Sequence, residues 1–304
     1  KNSTIKVING SLIIEGTIES GTKILVSNNL KNETAFKFKV WGHIQDSVSI
    51  QSDVAIEILG NIGDRCFIKS NYAGLKARNI GKEATIDVLE KIVADHIGKY
   101  SRLFSRQQGL TAEELDDNVL VNVIGEIDIN ENIGNRCNLK NQKGGLIAGN
   151  IGKYVTIDVG GNIQVCDIDI GSILNSKKGG LKAHDIGNKV TVNVRNKIHV
   201  NNLEDECKIY SQKSGIKVDG KTRSDLELEA RDDIKMNDMG KCCSVKSTHG
   251  KITFENSGDS VFITARYLVK GIGVGKCSQI ISTKDSVHLK YLLRDVKINA
   301  EHLL

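Results

Sequence analysis

Asn61-Ile62-Gly63-Asp64-Arg65-Cys66 returns further along the chain as Asn132-Ile133-Gly134-Asn135-Arg136-Cys137. The correspondence continues at the same offset. Gly81-Lys82 matches Gly152-Lys153, and Thr85-Ile86-Asp87-Val88 matches Thr156-Ile157-Asp158-Val159. A fixed offset held this long marks a repeat architecture. The offset itself divides. One apolar column runs Ile68, Leu103, Leu139, Leu174, Ile209, Val245, Ile280, in steps of 35 or 36. A second runs Leu75, Leu110, Leu146, Leu181, Ile216, Ile252, Val287 with the same steps.

The 35-residue unit halves in turn. Ile62-Gly63, Ile80-Gly81 and Ile97-Gly98 are spaced by 18 and 17, and Ile68 and Leu75 correspond to Ile86 and Ile92. The coil therefore has a period of 17–18, with three apolar stations: the Ile-Gly corner, the Ile68-type strand and the Leu75-type strand. Within strands, apolar and polar residues alternate, as in Thr191-Val192-Asn193-Val194 and Ile198-His199-Val200. That period of two turns apolar groups inward and polar groups outward. Ile68, Leu75, Ile86, Leu146, Ile157, Leu181 and Val192 are expected inside, and Asp87, Asp158 and Asn193 outside. The predicted fold is all-β, a single-stranded triangular parallel β-helix or β-solenoid. About 17 coils at ~4.8 Å would stack into a rod roughly 80 Å long.

Composition fits such a chain. Proline is absent, and a proline would break a strand ladder. Aromatics are 4%, so the core must be aliphatic. The residue before Ile-Gly is Asn61, Asn79, His96, Asn132, Asn150, Asp169 or Asp185. Asn and Asp tolerate the left-handed backbone, so these residues are expected to turn the corner. The glycine after them permits close coil-to-coil approach. Residues 1–60 are expected to form irregular N-terminal coils or a cap, and residues 61–304 one regular solenoid. Phe36, Phe38 and Trp41 gather in the N-terminal part as a cap layer or a self-association surface. At the other end Val296-Lys297-Ile298 still obeys the repeat. Terminal coils carry unpaired backbone edges, so Val296 and Ile298 are further candidates for self-association.

The sequence singles out no catalytic, cofactor-binding or metal-ligating residue. Cys66, Ser101, Cys137, Ser172, Cys207, Cys243 and Ser278 share one column, with Ala84 and Val155 at the equivalent place in alternate coils. Cysteines two coils apart are about 9.6 Å distant by the coil spacing. That exceeds the ~7 Å limit for a disulfide. Zinc-type Cys pairs are missing too, and vicinal Cys242-Cys243 should point to opposite faces. Buried reduced thiols fit a cytoplasmic protein. The chain starts at Lys1 and shows no secretory signal. The seven histidines, His43, His96, His184, His199, His249, His288 and His302, read as solvated, without a spaced carboxylate partner. Glu113-Glu114-Leu115-Asp116-Asp117 reads as a solvated turn beside the alternative of a paired-carboxylate site.

The net charge of +5 comes from 42 basic and 37 acidic residues. Nucleic-acid surfaces cluster Lys and Arg with aromatics, and no such cluster occurs. No apolar run reaches the ~18 residues of a membrane helix; association with a membrane is left open.

Ile151-Gly152-Lys153-Tyr154-Val155-Thr156 resembles the hexapeptide repeat of left-handed β-helix acyltransferases. That family implies a catalytic His on an extruded loop and an acyl-CoA donor. Here the hexads are discontinuous and no long loop or base His accompanies them. Gly160-Gly161-Asn162-Ile163-Gln164-Val165 and Asn9-Gly10-Ser11-Leu12-Ile13-Ile14-Glu15-Gly16 resemble the bactofilins and the flagellar assembly protein A family. This resemblance extends over nearly the whole chain. It implies a right-handed triangular β-helix, bacterial and cytoplasmic, serving as scaffold or filament subunit without a cofactor. Three functions follow as expectations. The first is a non-enzymatic scaffold that associates with itself or another protein. The second is a binding module, such as a bacterial effector or surface protein, presenting a solenoid face. The third is a solenoid enzyme, an acyltransferase or polysaccharide-active protein.

Overall fold

The computed structural model describes residues 3–28 and 36–302, and of His302 the backbone only. Among these residues the chain is all β, and its parallel strands stack as a β-solenoid of about 16 turns. It divides into two compact units, Lys1–Gly149 and Asn150–Leu304.

In the first unit each coil passes the three expected stations. Four-residue strands such as Phe67–Ser70, Thr85–Val88 and Arg102–Ser105 align Ile50, Ile68, Ile86, Leu103, Val121 and Leu139 in register. A second ladder aligns Ile56, Leu75, Ile92, Leu110, Ile127 and Leu146. A third, made of short bridges, aligns Ile44, Ile62, Ile80, Ile97, Leu115 and Ile133. The second unit repeats the plan. Ile157, Leu174, Val192, Ile209 and Leu228 form its first ladder, and Ile163, Leu181, Ile198, Ile216 and Ile234 its second. These side chains are at most 3% exposed. Each such burial is worth about 1.5–3 kcal/mol. The outward Asp87, Asp158 and Asn193 are half-buried between neighbours of their own face.

Strands Thr4–Ile8, Leu12–Ile14, Lys23–Ser27, Lys37–Val40, Ser49–Ser52 and Ala55–Ile58 belong to the same ladders, so the irregularity here lies in coil length. Ile5 pairs with Ile24, close to the regular period, but Ile24 pairs with Ile50, well beyond it. The added length falls between Val26 and Phe38. Phe38 takes the second station, in register with Leu12 and Ile56, and is fully buried.

The corner after Ile-Gly departs from expectation. Asn61 and Asn79 are not left-handed. Positive φ lies four residues beyond Asn61, at Arg65 (φ 54°), and at the corresponding Glu83, Tyr100, Asn118 and Arg136. The second unit does the same at Tyr154, Lys189, Glu206, Asp225 and Cys242. A left-handed non-glycine residue costs about 1–2 kcal/mol. Ladder bonds hold such peptides: the amides of Arg65, Glu83 and Tyr154 donate to Lys82, Lys99 and Ile170 in the next coil, at 2.8–3.0 Å. Gly171 (φ 71°) is the glycine of this series in the second unit. The Tyr154 ring covers it, and a Cβ there would lie 2.6 Å from the ring. The glycine of Ile-Gly does mark close approach. A Cβ on Gly81 would sit 2.6 Å from the carbonyl carbon of Gly63 one coil earlier.

The 35-residue period has a local cause. From Ser70 to Leu75 the chain advances five residues; from Val88 to Ile92 it advances four. The same alternation holds at Ser105–Leu110 against Val123–Ile127, and at Ser176–Leu181 against Val159–Ile163. A longer corner stacked on a shorter one leaves a carbonyl below and an amide above without partners. The buried serine bridges them. Ser176 Oγ donates to Gly161 O (2.5 Å) and accepts from Gly179 N (2.9 Å). Ser247 does so with Asp232 O (2.7 Å) and Gly250 N (2.9 Å), and Ser105 with Glu90 O and Gln108 N. Asn141 holds the same corner position in the first unit, donating through Nδ2 to Gly145 O at 2.7 Å.

Candidate functional site

The polar residues that the repeat carries inward are bonded to backbone groups. In the Cys/Ser column, Ser101 Oγ donates to Gly81 O (2.9 Å) and accepts from Ala84 N (3.1 Å). Ser172 does the same with Gly152 O and Val155 N. Cysteines fill the role with a thiol: Cys66 Sγ reaches Gln45 O at 3.1 Å, Cys137 Sγ reaches Asp116 O at 3.0 Å, and Cys207 Sγ reaches Gly187 O at 3.0 Å. Burial pushes these thiols up, Cys137 to about 12 and Cys207 and Cys243 to about 11. They are protonated at neutral pH and poor nucleophiles or ligands. Cys166, Cys242 and Cys277 are exposed, so vicinal Cys242 and Cys243 do face opposite ways.

The corner Asx residues form side-chain ladders. Asp46 Oδ1 accepts Asp64 N (2.9 Å), and Asp64 Oδ1 accepts Lys82 N (3.0 Å). In the second unit Asn188 Oδ1 accepts Asp205 N (3.0 Å), and Asp205 Oδ1 accepts Ser224 N (2.8 Å). The stretch 113–117 is spent likewise. Asp117 Oδ1 accepts the Asn135 amide at 2.8 Å, which together with nearby Lys99 holds its carboxyl below the usual range. Glu113 accepts from Asn130 Nδ2 at 2.8 Å.

Three histidines read from sequence as lacking a carboxylate partner have one in the structure. His96 Nε2 lies 3.5 Å from Asp116 Oδ1. His199 Nε2 lies 2.6 Å from Asp219 Oδ2, whose carboxylate also meets Lys217 Nζ at 2.7 Å. The His199 contact, then Lys217, hold the Asp219 carboxyl down to about 2. His184 Nδ1 lies 3.5 Å from Asp167 and 3.2 Å from Asp185. Asp185 adjoins His184 in sequence. The other three carboxylates lie one coil up or down, so the coil period was the signal that pointed to them.

In comparisons with protein families, curated proteins and solved structures, nothing matched this chain.

The candidate association residues divide. Phe38 is core, and Phe36 is half-buried. Trp41 is 54% exposed, with Lys39 Nζ 4.5 Å from its ring. Val296 and Ile298 are half-buried, whereas Val261 and Ile280 in their columns are at most 1% exposed. Tyr291, Leu292 and Leu293 beside them are exposed. One further polar surface lies on the long-strand face of the second unit. An open trough is lined by Asp158, Asn175, Lys177, Asn193 and Gln212, and a second by Asn193, Tyr210, Gln212, Glu229 and Arg231.

Proposed function

We propose that this chain is a non-catalytic scaffold whose stacked coils are themselves the working part, and that it associates with copies of itself or with another protein. The observation that carries this reading is where the chemistry goes. Buried hydroxyls and thiols bond backbone groups of the neighbouring coil, and corner carboxylates accept backbone amides of the next coil. Groups spent in this way on stacking are not free to act on a substrate. Buried protonated thiols accord with a reducing, cytoplasmic setting. Sedimentation velocity and negative-stain microscopy over a concentration series provide the test. Concentration-dependent assembly is expected, and charge placed at Ile298 or Leu292 should diminish it. A strict monomer at every concentration would remove self-association. Saturable binding of CoA in a titration would put the enzyme reading first.

A second reading, a binding module, is favoured by the paired troughs. Their amide and hydroxyl groups face outward, with Gln212 Nε2 donating to Asn193 Oδ1 at 2.9 Å. Immobilised protein that captures a partner through wild type but not Tyr210→Ala or Asn193→Ala would support it.

A further inference from the structure

Three successive coils of the second unit carry outward pairs at one corner: Cys166-Asp167, His184-Asp185 and Asn201-Asn202. Register stacks them. His184 N donates to Cys166 O at 2.6 Å, and Asp185 pairs with Asn202. His184 Nδ1 faces both carboxylates, and the three donor atoms all lie within 4.8 Å of one another. The Oδ1 atoms that face His184 also accept hydrogen bonds. Asp167 Oδ1 accepts the Asp185 amide (3.1 Å), and Asp185 Oδ1 accepts Asn202 Nδ2 (2.6 Å). The far side of the imidazole is held too, with Nε2 3.3 Å from the Asn201 carboxamide.

We propose that Asp167, His184 and Asp185 bind one divalent transition-metal ion of the zinc or cobalt class, as a clip between two coils. One imidazole nitrogen with two carboxylate oxygens is a donor set for such ions. Calcium and magnesium take oxygen donors, and an imidazole in the centre of the set disfavours them. Ligation through Nδ1 places the ring proton on Nε2, where the oxygen of the Asn201 amide can accept it after a flip. That is the outer-shell support a ligating histidine usually has.

The other histidine–carboxylate contacts lack this arrangement. His96 Nε2 meets the single carboxylate Asp116. Asp219, beside His199, already holds the Lys217 ammonium, which repels a cation. Among the described residues, no Lys or Arg forms an ion pair with Asp167 or Asp185.

The test is calorimetric titration of the full chain with Zn²⁺ alone and, separately, Co²⁺ alone. One saturable site is expected, with a visible cobalt absorption band and a raised melting temperature. His184→Ala and Asp185→Asn should each weaken binding by about tenfold or more while the far-UV spectrum stays unchanged. His199→Ala should bind as wild type does. Absence of saturable binding, or binding undiminished in both His184→Ala and Asp185→Asn, would overturn the site.

Discussion

The two kinds of corner after the long strand carry the same core load and differ in polar content. Leu181 follows a long corner and Ile163 a short one, and both are at most 3% exposed. At the long corner the strand ends in Ser176, which bonds one carbonyl and one amide; at the short corner it ends in Val159, which packs. The same coils differ at the start of the strand, where Ser172 stands against Val155. From Cys66 to Ser282 a small polar residue on either side thus marks every second coil, whereas Ser52 and Ser70 end strands in successive coils. One extra residue in a corner, and the hydroxyl that absorbs it, turns a coil period of 17–18 into a repeat of 35.

Truncating the core is the largest expected effect and should not tell the corners apart. Leu181→Ala and Ile163→Ala should each cost about 2–5 kcal/mol. Chemical denaturation measures both, and a consistent gap would mean that the corners differ in packing as well. Next come the strand ends. Ser176→Val leaves a buried carbonyl and amide unpaired and should cost about 1–3 kcal/mol. Val159→Ser replaces a fully buried apolar side chain by a hydroxyl and should also destabilise. If either exchange is neutral in urea melts, the corner identities are interchangeable.

The thiols sharpen the contrast by pH. Cys137, Cys207 and Cys243 have folded values of about 12, 11 and 11 against 9.0 for an ordinary thiol. A raised value means that the unfolded chain loses its thiol proton first. Their contribution is complete below pH 9 and is lost as pH climbs toward 11–12. Stability should therefore decline above pH 9, and less steeply in Cys137→Ser. Alkylation of the native protein should modify Cys166, Cys242 and Cys277 and spare the other four. The smallest effect is on the surface. His199→Ala should raise the Asp219 value from about 2 toward 3.8, read by NMR, with little change in melting temperature.

Much of this was legible in the sequence. Period two fixes which face of Thr156-Ile157-Asp158-Val159 turns inward, and the 17–18 spacing fixes the stacking partners. The corner was misread because tolerance of the left-handed backbone is not a requirement for it. Asn61 and Asn79 sit in the third ladder, while Arg65 and Glu83 take the left-handed backbone. Such a cost is invisible in residue preference, since the ladder bond that offsets it comes from another coil. The histidine partners were missed for a related reason. His184 and Asp167 are adjacent only once the chain is wound, and local spacing motifs do not search one coil away. The serine corners lay within the 35-residue period, but their role needs the mismatch between stacked turns.

The strand-end serines Ser105, Ser176 and Ser247 let corners of unequal length stack. That role is tested by comparing Ser176→Val with Ser176→Val carrying a deletion of Lys178, which shortens that corner to the four-residue advance of Val159–Ile163. The deletion should restore most of the stability lost in the single variant, measured by urea denaturation. A deletion that leaves the loss unchanged or deepens it would show that Ser176 does not compensate for corner length.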